Sequence, residues 1–139
     1  MRLDEVYKDA EAQGAKIYAF DIGFADAATI EMGGRYGIFY DPRRCPTMAD
    51  LCWKLGHEVS HCATGCTHRL ASRYDLVAKH EYKANRREIE VYLPFEELKA
   101  AVDMGYREPW QLAEYFNVPE EAVRKALDYW TGARQKRLD

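Results

Sequence analysis

One segment of the sequence constrains the fold more than any other: residues 47–65, which read TMADLCWKLGHEVSHCATG. Thr47 is a residue type that caps helix N-termini, and Gly65 is the type at which helices end. Between them, apolar residues recur at helical spacing, as at Leu55 and Val59. The pattern therefore predicts one continuous helix with an apolar face, against which the rest of the chain must pack.

The same predicted helix carries the pattern HExxH at residues 57–61. Residues four apart lie on one helix face about one turn apart, so the imidazoles of His57 and His61 can bind a single ion. Glu58 is rotated by about 100° from His57. It would flank the ion, where a carboxylate can take a proton from the attacking water. Because three protein ligands leave zinc a fourth position for water, we predict a catalytic Zn²⁺ site with Glu58 as its base.

The cysteines offer a different zinc site. Cys62 and Cys66 are four residues apart and lie next to His61 and His68, a set that could bind a structural zinc ion. Cys62 is, however, rotated by about a quarter turn from His61, and cysteine is often simply a buried apolar residue. The catalytic arrangement is therefore the preferred interpretation.

Length and charge limit what the chain can be. Its 139 residues suffice for one domain, and its formal net charge of -3 gives no general attraction to nucleic acid or to an anionic membrane. No stretch approaches the roughly 18 consecutive apolar residues of a membrane span. The N-terminal segment has no apolar core of signal-peptide type. We expect a cytoplasmic protein that neither enters a membrane nor binds nucleic acid directly.

The rest of the sequence predicts an α+β fold. A helix over residues 3–13 is followed by three β-like stretches, and the Gly33-Gly34 pair is a hairpin signal, so a small antiparallel meander is predicted. The β-like stretches are residues 16–22, 27–32 and 35–41. Helices are predicted downstream over residues 74–93, 95–104, 108–116 and 120–130.

We treat the chain as a single domain with four parts. They are the N-terminal helix and sheet (1–46), the metal-binding helices (47–94), a C-terminal helical subdomain (95–130) and a polar tail (131–139).

A metal site of this kind needs a third protein ligand. Glu81 is predicted near the middle of the next helix, with Asn85 one turn on, so both face the same side. An E-x-x-small-Asn arrangement after HExxH resembles the gluzincin pattern, the His₂Glu ligand set of thermolysin-type enzymes. That resemblance implies that Glu81 binds zinc and that Asn85 accepts the ring N–H of a ligand histidine, which would be His57. The other candidates for the third ligand are His80, His68 and Glu88.

Three segments together resemble the ImmA/IrrE family of metallo-endopeptidases. They read LGHEVSHCATG (55–65), SRYDLVAKHEYKANRREIEVYLP (72–94) and ELKAAVDMGYREPWQLAEYFNVPEEAVRKAL (97–127). The resemblance covers roughly residues 35–130. It implies a minimal zincin-like fold, with a small sheet, the HExxH helix, a third-ligand helix and a C-terminal helix pair.

The resemblance also implies an activity. Zinc would be held by His57, His61 and Glu81, with Glu58 as the catalytic base. The typical role is site-specific cleavage of a partner protein, usually a helix-turn-helix repressor encoded beside the peptidase on a phage or mobile element. The chain departs from the usual family pattern at residues 66–68 and 86–88, where it has Cys-Thr-His and Arg-Arg-Glu.

Two alternative functions stay open at this point. One is a non-catalytic, zincin-shaped module that binds and sequesters a repressor. The other is a small DNA-binding regulator, because the last two predicted helices resemble a helix-turn-helix. The second of these helices begins with Glu120 and Glu121, whose charges would face phosphates, so we predict a helical support for the catalytic layer instead. The candidates for an oxyanion donor are Tyr74, His68 and Tyr92.

Overall fold

The computed structural model describes residues 1–23, 25–65 and 74–139; the side chains of Met32 and of residues 74–77 are not described. Within these ranges the fold is α+β, with six α-helices and one three-stranded sheet. The helices that the sequence predicts are confirmed to within two residues at their ends. Of the described helices, none combines the length and the apolar character that crossing a bilayer demands. The elements are α1 (Leu3–Ala12), β1 (Ala15–Ala19), β2 (Ala27–Met32), β3 (Arg35–Tyr40), α2 (Met48–Thr64), α3 (Tyr74–Tyr92), α4 (Phe95–Asp103), α5 (Pro109–Phe116) and α6 (Glu120–Asp128).

The sheet is mixed, so the predicted antiparallel meander is wrong. The strand order is β1–β3–β2; β2 and β3 are antiparallel, but β1 pairs with β3 in parallel. Gly33 and Gly34 have φ values of 59° and 80°, which suit a tight hairpin between β2 and β3. The connection from β1 to β2 is too long for such a turn and passes the end of β3, where the Phe20 N–H donates to the Tyr40 carbonyl. β1 therefore pairs with the far edge of β3.

The capped helix predicted over residues 47–65 is confirmed. The side chain of Thr47 accepts a hydrogen bond from the N–H of Asp50 at 3.0 Å, and Gly65 ends the helix with a φ of 65°. Leu55 and Val59 are fully buried against α1 and the sheet. The apolar face of α2 thus anchors the helix and leaves another face for the histidines.

Two clusters of buried apolar residues hold the described chain together. One joins α1, α2 and the sheet, around Ile38 and Leu55. The other joins the end of α3 to α4, α5 and α6, around Leu93 and Leu112. Leu138 packs against this second cluster, so the C-terminal segment lies along the helical subdomain.

An ion pair joins α1 to α3. The guanidinium of Arg87 donates to both carboxylate oxygens of Asp9, at 2.6 and 2.8 Å, and the Tyr92 hydroxyl donates to the same carboxylate. Burial by itself raises the pKa of Asp9, but the hydrogen bonds from Arg87 and Tyr92 outweigh it and hold that pKa below its usual value. The resulting stabilisation is present above the unfolded-state pKa of an aspartate and is lost as the pH falls through the lower folded-state pKa.

Arg87→Ala is expected to lower the free energy of unfolding by about 2–3 kcal/mol at pH 7, because it leaves a mostly buried carboxylate without its charged hydrogen-bond partner. Urea unfolding followed by circular dichroism measures this. Arg124→Ala is the matched control, since Arg124 forms an exposed pair with Glu120 that contributes about 0.5 kcal/mol or less. Equal losses in the two variants would contradict the role of the Asp9 pair.

Candidate metal centre

The structure brings together the three residues that the sequence predicts to bind zinc. Nε2 of His57 lies 2.9 Å from Oε2 of Glu81, and Nε2 of His61 lies 2.9 Å from Oε1 of Glu81. The two Nε2 atoms are 3.1 Å apart. In a tetrahedral zinc site with metal–ligand distances near 2.1 Å, neighbouring donors lie about 3.4 Å apart. The three donors therefore converge closely enough to hold one metal ion.

The positions of these donors follow from the packing of α3 along α2. His57 and His61 are one turn apart on α2, with their rings edge to face and the ring centroids 4.7 Å apart. Glu81 reaches them from α3. The side chain of His61 is only 6% exposed, whereas that of Glu81 is 40% exposed. The cluster thus has a closed side and an open side, as a catalytic ion with a free coordination position requires.

The charges around the cluster favour a cation at its centre. Burial by itself lowers the pKa of His57, but the carboxylates of Glu81 and Glu88 outweigh burial and raise it strongly. Hydrogen bonds with His57 and His61 hold the pKa of Glu81 far below its usual value. A proton on His57 and a divalent cation therefore compete for the same place, and metal binding would release that proton.

Glu58 lies beside the cluster, on the wall of a cleft of about 420 Å³ that His57 and Glu81 also line. Its Oε2 accepts a hydrogen bond of 2.5 Å from the hydroxyl of Thr29 on β2. This bond restrains the carboxylate of Glu58 at the edge of the cleft. Sequence reasoning missed Thr29, because a single threonine in a strand carries no signal of the helix residue that it contacts.

Residues of the C-terminal helical subdomain also line this cleft. Pro119 and three residues of α6 line it: Glu121, Ala122 and Lys125. Glu121 and Lys125 form an ion pair of 3.1 Å on this wall. Of the two acidic residues at the start of α6, Glu121 lines the cleft, whereas Glu120 forms an exposed pair with Arg124.

Nδ1 of His57 faces Glu88. The gluzincin resemblance predicts that Asn85 accepts a hydrogen bond from this ring. Oε2 of Glu88 lies 3.4 Å from this nitrogen, whereas Asn85 lines the open cleft. Relative to Glu81, Asn85 is rotated by about 40° around α3 and Glu88 by about 20° in the opposite direction. Glu88 also lies about 10 Å along the helix axis from Glu81. It is therefore a neighbour of His57 and not a member of the converging donor group.

The alternative cysteine site receives no support from the described residues. Cys62 is buried in the N-terminal core, and burial raises the pKa of its thiol to about 12. The converging donor group that the structure describes contains neither Cys62 nor His80. Cys66 lies outside the described residues.

One of the three candidate oxyanion donors is placed by the structure. The hydroxyl of Tyr92 donates to the carboxylate of Asp9, about three helical turns along α3 from Glu81, so it is engaged away from the cluster. Tyr92 was therefore a wrong candidate. His68 and the side chain of Tyr74 lie outside what the structure describes.

Comparison of the chain with family models, curated proteins and solved structures found no match. The resemblance to the ImmA/IrrE family stays a prediction from the quoted motifs. The case for a function therefore depends on the chemistry of the donor cluster and of the cleft beside it.

The protein is expected to bind one zinc ion per chain. His61→Ala should raise the dissociation constant for Zn²⁺ by more than about a hundredfold, because changes outside the ligand shell alone cost about 10- to 100-fold. Cys62→Ala, which alters the next residue on the same helix, should leave it unchanged. Elemental analysis and competition with a chelator measure both. Zinc lost with Cys62→Ala would instead assign the metal to the cysteine site.

Proposed function

We propose that this protein is a zinc-dependent endopeptidase with a zincin-like fold, of the ImmA/IrrE type. The observation that carries the proposal is the convergence of His57, His61 and Glu81 beside a cleft that Glu58 also lines. Two histidines and one glutamate are the zinc ligands of thermolysin-type hydrolases. The partly exposed side of the cluster supports a free coordination position for the reaction.

When bound, zinc would polarise the scissile carbonyl and lower the pKa of water at the site to near 7. Glu58 takes a proton from the attacking water as the water oxygen bonds to the carbonyl carbon. Glu58 then passes this proton to the amide nitrogen as the C–N bond breaks. The products are a new C-terminus and a new N-terminus, and Glu58 is again a carboxylate. Thr29 restrains Glu58 during both transfers.

The place of β2 supports a polypeptide substrate. β2 is last in the strand order, and in the described part of the chain it pairs with β3 alone. A strand at a sheet edge offers its backbone N–H and C=O groups to an extended peptide. Ala27 of β2 lines the cleft, and Thr29 contacts Glu58. A peptide paired along β2 would therefore pass the proposed base.

The substrate is proposed to be a regulatory protein, by resemblance a helix-turn-helix repressor of a phage or mobile element, cleaved in the cytoplasm. The wall formed by α6 supports contact with a folded partner beyond the cleaved bond, since Glu121 and Lys125 stand at the cleft. The competing function is a module that sequesters the repressor without cutting it. The two functions differ in their dependence on Glu58.

Glu58→Gln is expected to slow cleavage by about 10²- to 10⁴-fold, because the variant cannot accept the proton of water. The zinc-loaded proteins are incubated with a candidate repressor and with a library of proteome-derived peptides, and new N-termini are identified by mass spectrometry. Glu114→Gln, an exposed change on α5, should cut like the wild type. Cleavage by Glu58→Gln at the wild-type rate would refute the peptidase. A stable repressor complex that neither protein cuts would support sequestration.

Thr29→Val should lower kcat by about tenfold, because Glu58 loses a hydrogen bond worth more than about 1 kcal/mol. KM and zinc content should stay unchanged, since Thr29 is not a ligand. Thr29→Ser keeps the hydroxyl and should restore most of the rate. Equal losses in the valine and serine variants would contradict this role of the hydrogen bond, because the serine variant keeps the hydroxyl.

A further inference from the structure

Glu88 is a buried carboxylate at the contact between α2 and α3, with a side chain only 1% exposed. Neither of its oxygens has a hydrogen bond of normal geometry with any described residue, and Nδ1 of His57, 3.4 Å away, is its ion-pair partner. Placing a carboxylate here costs stability. Its presence therefore points to a role other than holding the fold.

The geometry of His57 indicates what that role is. Nε2 of His57 lies 3.1 Å from Nε2 of His61 and 2.9 Å from Glu81, so this nitrogen must present its lone pair to bind a metal with them. A neutral imidazole that presents Nε2 carries its proton on Nδ1. Nδ1 is the atom that faces Glu88. Glu88 is therefore placed to accept the Nδ1–H and to select the tautomer that binds metal.

The backbone of α2 leaves room for Glu88 at Gly56, the residue before His57. A Cβ atom on Gly56 would lie 3.1 Å from Oε1 of Glu88 and 3.1 Å from Cε2 of Tyr92, and it would also displace the flexible end of Met1. Glycine within a helix costs about 1 kcal/mol relative to alanine. Both helices thus contribute to the space that holds the Glu88 carboxylate behind His57.

We infer that Glu88 is the positioning residue of His57: its buried carboxylate orients the imidazole and holds the proton on Nδ1, so that Nε2 points at His61 and Glu81. Glu88 itself contacts neither the metal position nor the substrate cleft. The inference rests on the metal site of the proposed function. It assigns to Glu88 the role that the gluzincin resemblance gave to Asn85.

Glu88→Leu tests the inference. It keeps the side-chain volume but removes the acceptor, and it should raise the dissociation constant for Zn²⁺ by about 10- to 100-fold in competition with a chelator. Glu88→Gln keeps one acceptor oxygen and should show a smaller increase. The metal-free Glu88→Leu protein should resist urea at least as well as the wild type, because a buried carboxylate without a hydrogen bond of normal geometry is replaced by an apolar side chain of similar volume. Loss of affinity would then not reflect loss of folding.

A spectroscopic measurement and a control complete the test. In ¹H–¹⁵N spectra of the zinc-loaded wild type, the Nδ1–H of His57 should exchange slowly with water, and Glu88→Leu should lose that protection. Asn85→Ala, one turn from Glu81 on the same helix, should bind Zn²⁺ like the wild type. Wild-type affinity in Glu88→Leu, or weakened binding in Asn85→Ala alone, would overturn the inference and leave the peptidase proposal standing. Failure of the wild type to bind Zn²⁺ would overturn both.

Discussion

The packing of α3 along α2 is the contact on which the candidate metal centre depends. Neither helix carries a full ligand set, because His57 and His61 belong to α2 and Glu81 belongs to α3. The same contact buries Glu88 behind His57. The ion pair between Arg87 of α3 and the first helix adds α1 to this assembly. A small shift of α3 would therefore move both Glu81 and Glu88 relative to the two histidines.

This contact also concentrates charge in a small volume. The carboxylates of Glu81 and Glu88 lie beside the imidazole of His57 and raise its pKa. Hydrogen bonds with the two histidines lower the pKa of Glu81. Buried charges are costly unless they are paired, so such a group needs either protons or a cation. A divalent ion at the converging donors would satisfy the Glu81 carboxylate and the Nε2 lone pairs of His57 and His61 at once. The electrostatics thus agree with the donor geometry in favouring a metal.

The cleft lies where the two apolar cores of the protein meet. Trp53 lines the cleft and packs against both cores, so the walls of the cleft belong to different parts of the chain. Residues of β2, α2, α3 and the start of α6 all line it. This arrangement gives the C-terminal helices a direct position at the proposed reaction site.

The sequence by itself determined α2 and the relation of its two histidines. Capping, periodicity and the i, i+4 spacing act within a few residues, so Thr47 and Gly65 set the helix and the HExxH pattern set its ligand face. Tertiary structure decided the parallel pairing of β1 with β3. It also decided that Thr29 contacts Glu58 and that Glu88 faces Nδ1 of His57. Thr29 and Glu88 are each about 30 residues from the side chains they contact. Only the packing of distant elements brings such pairs together, and no local pattern encodes it.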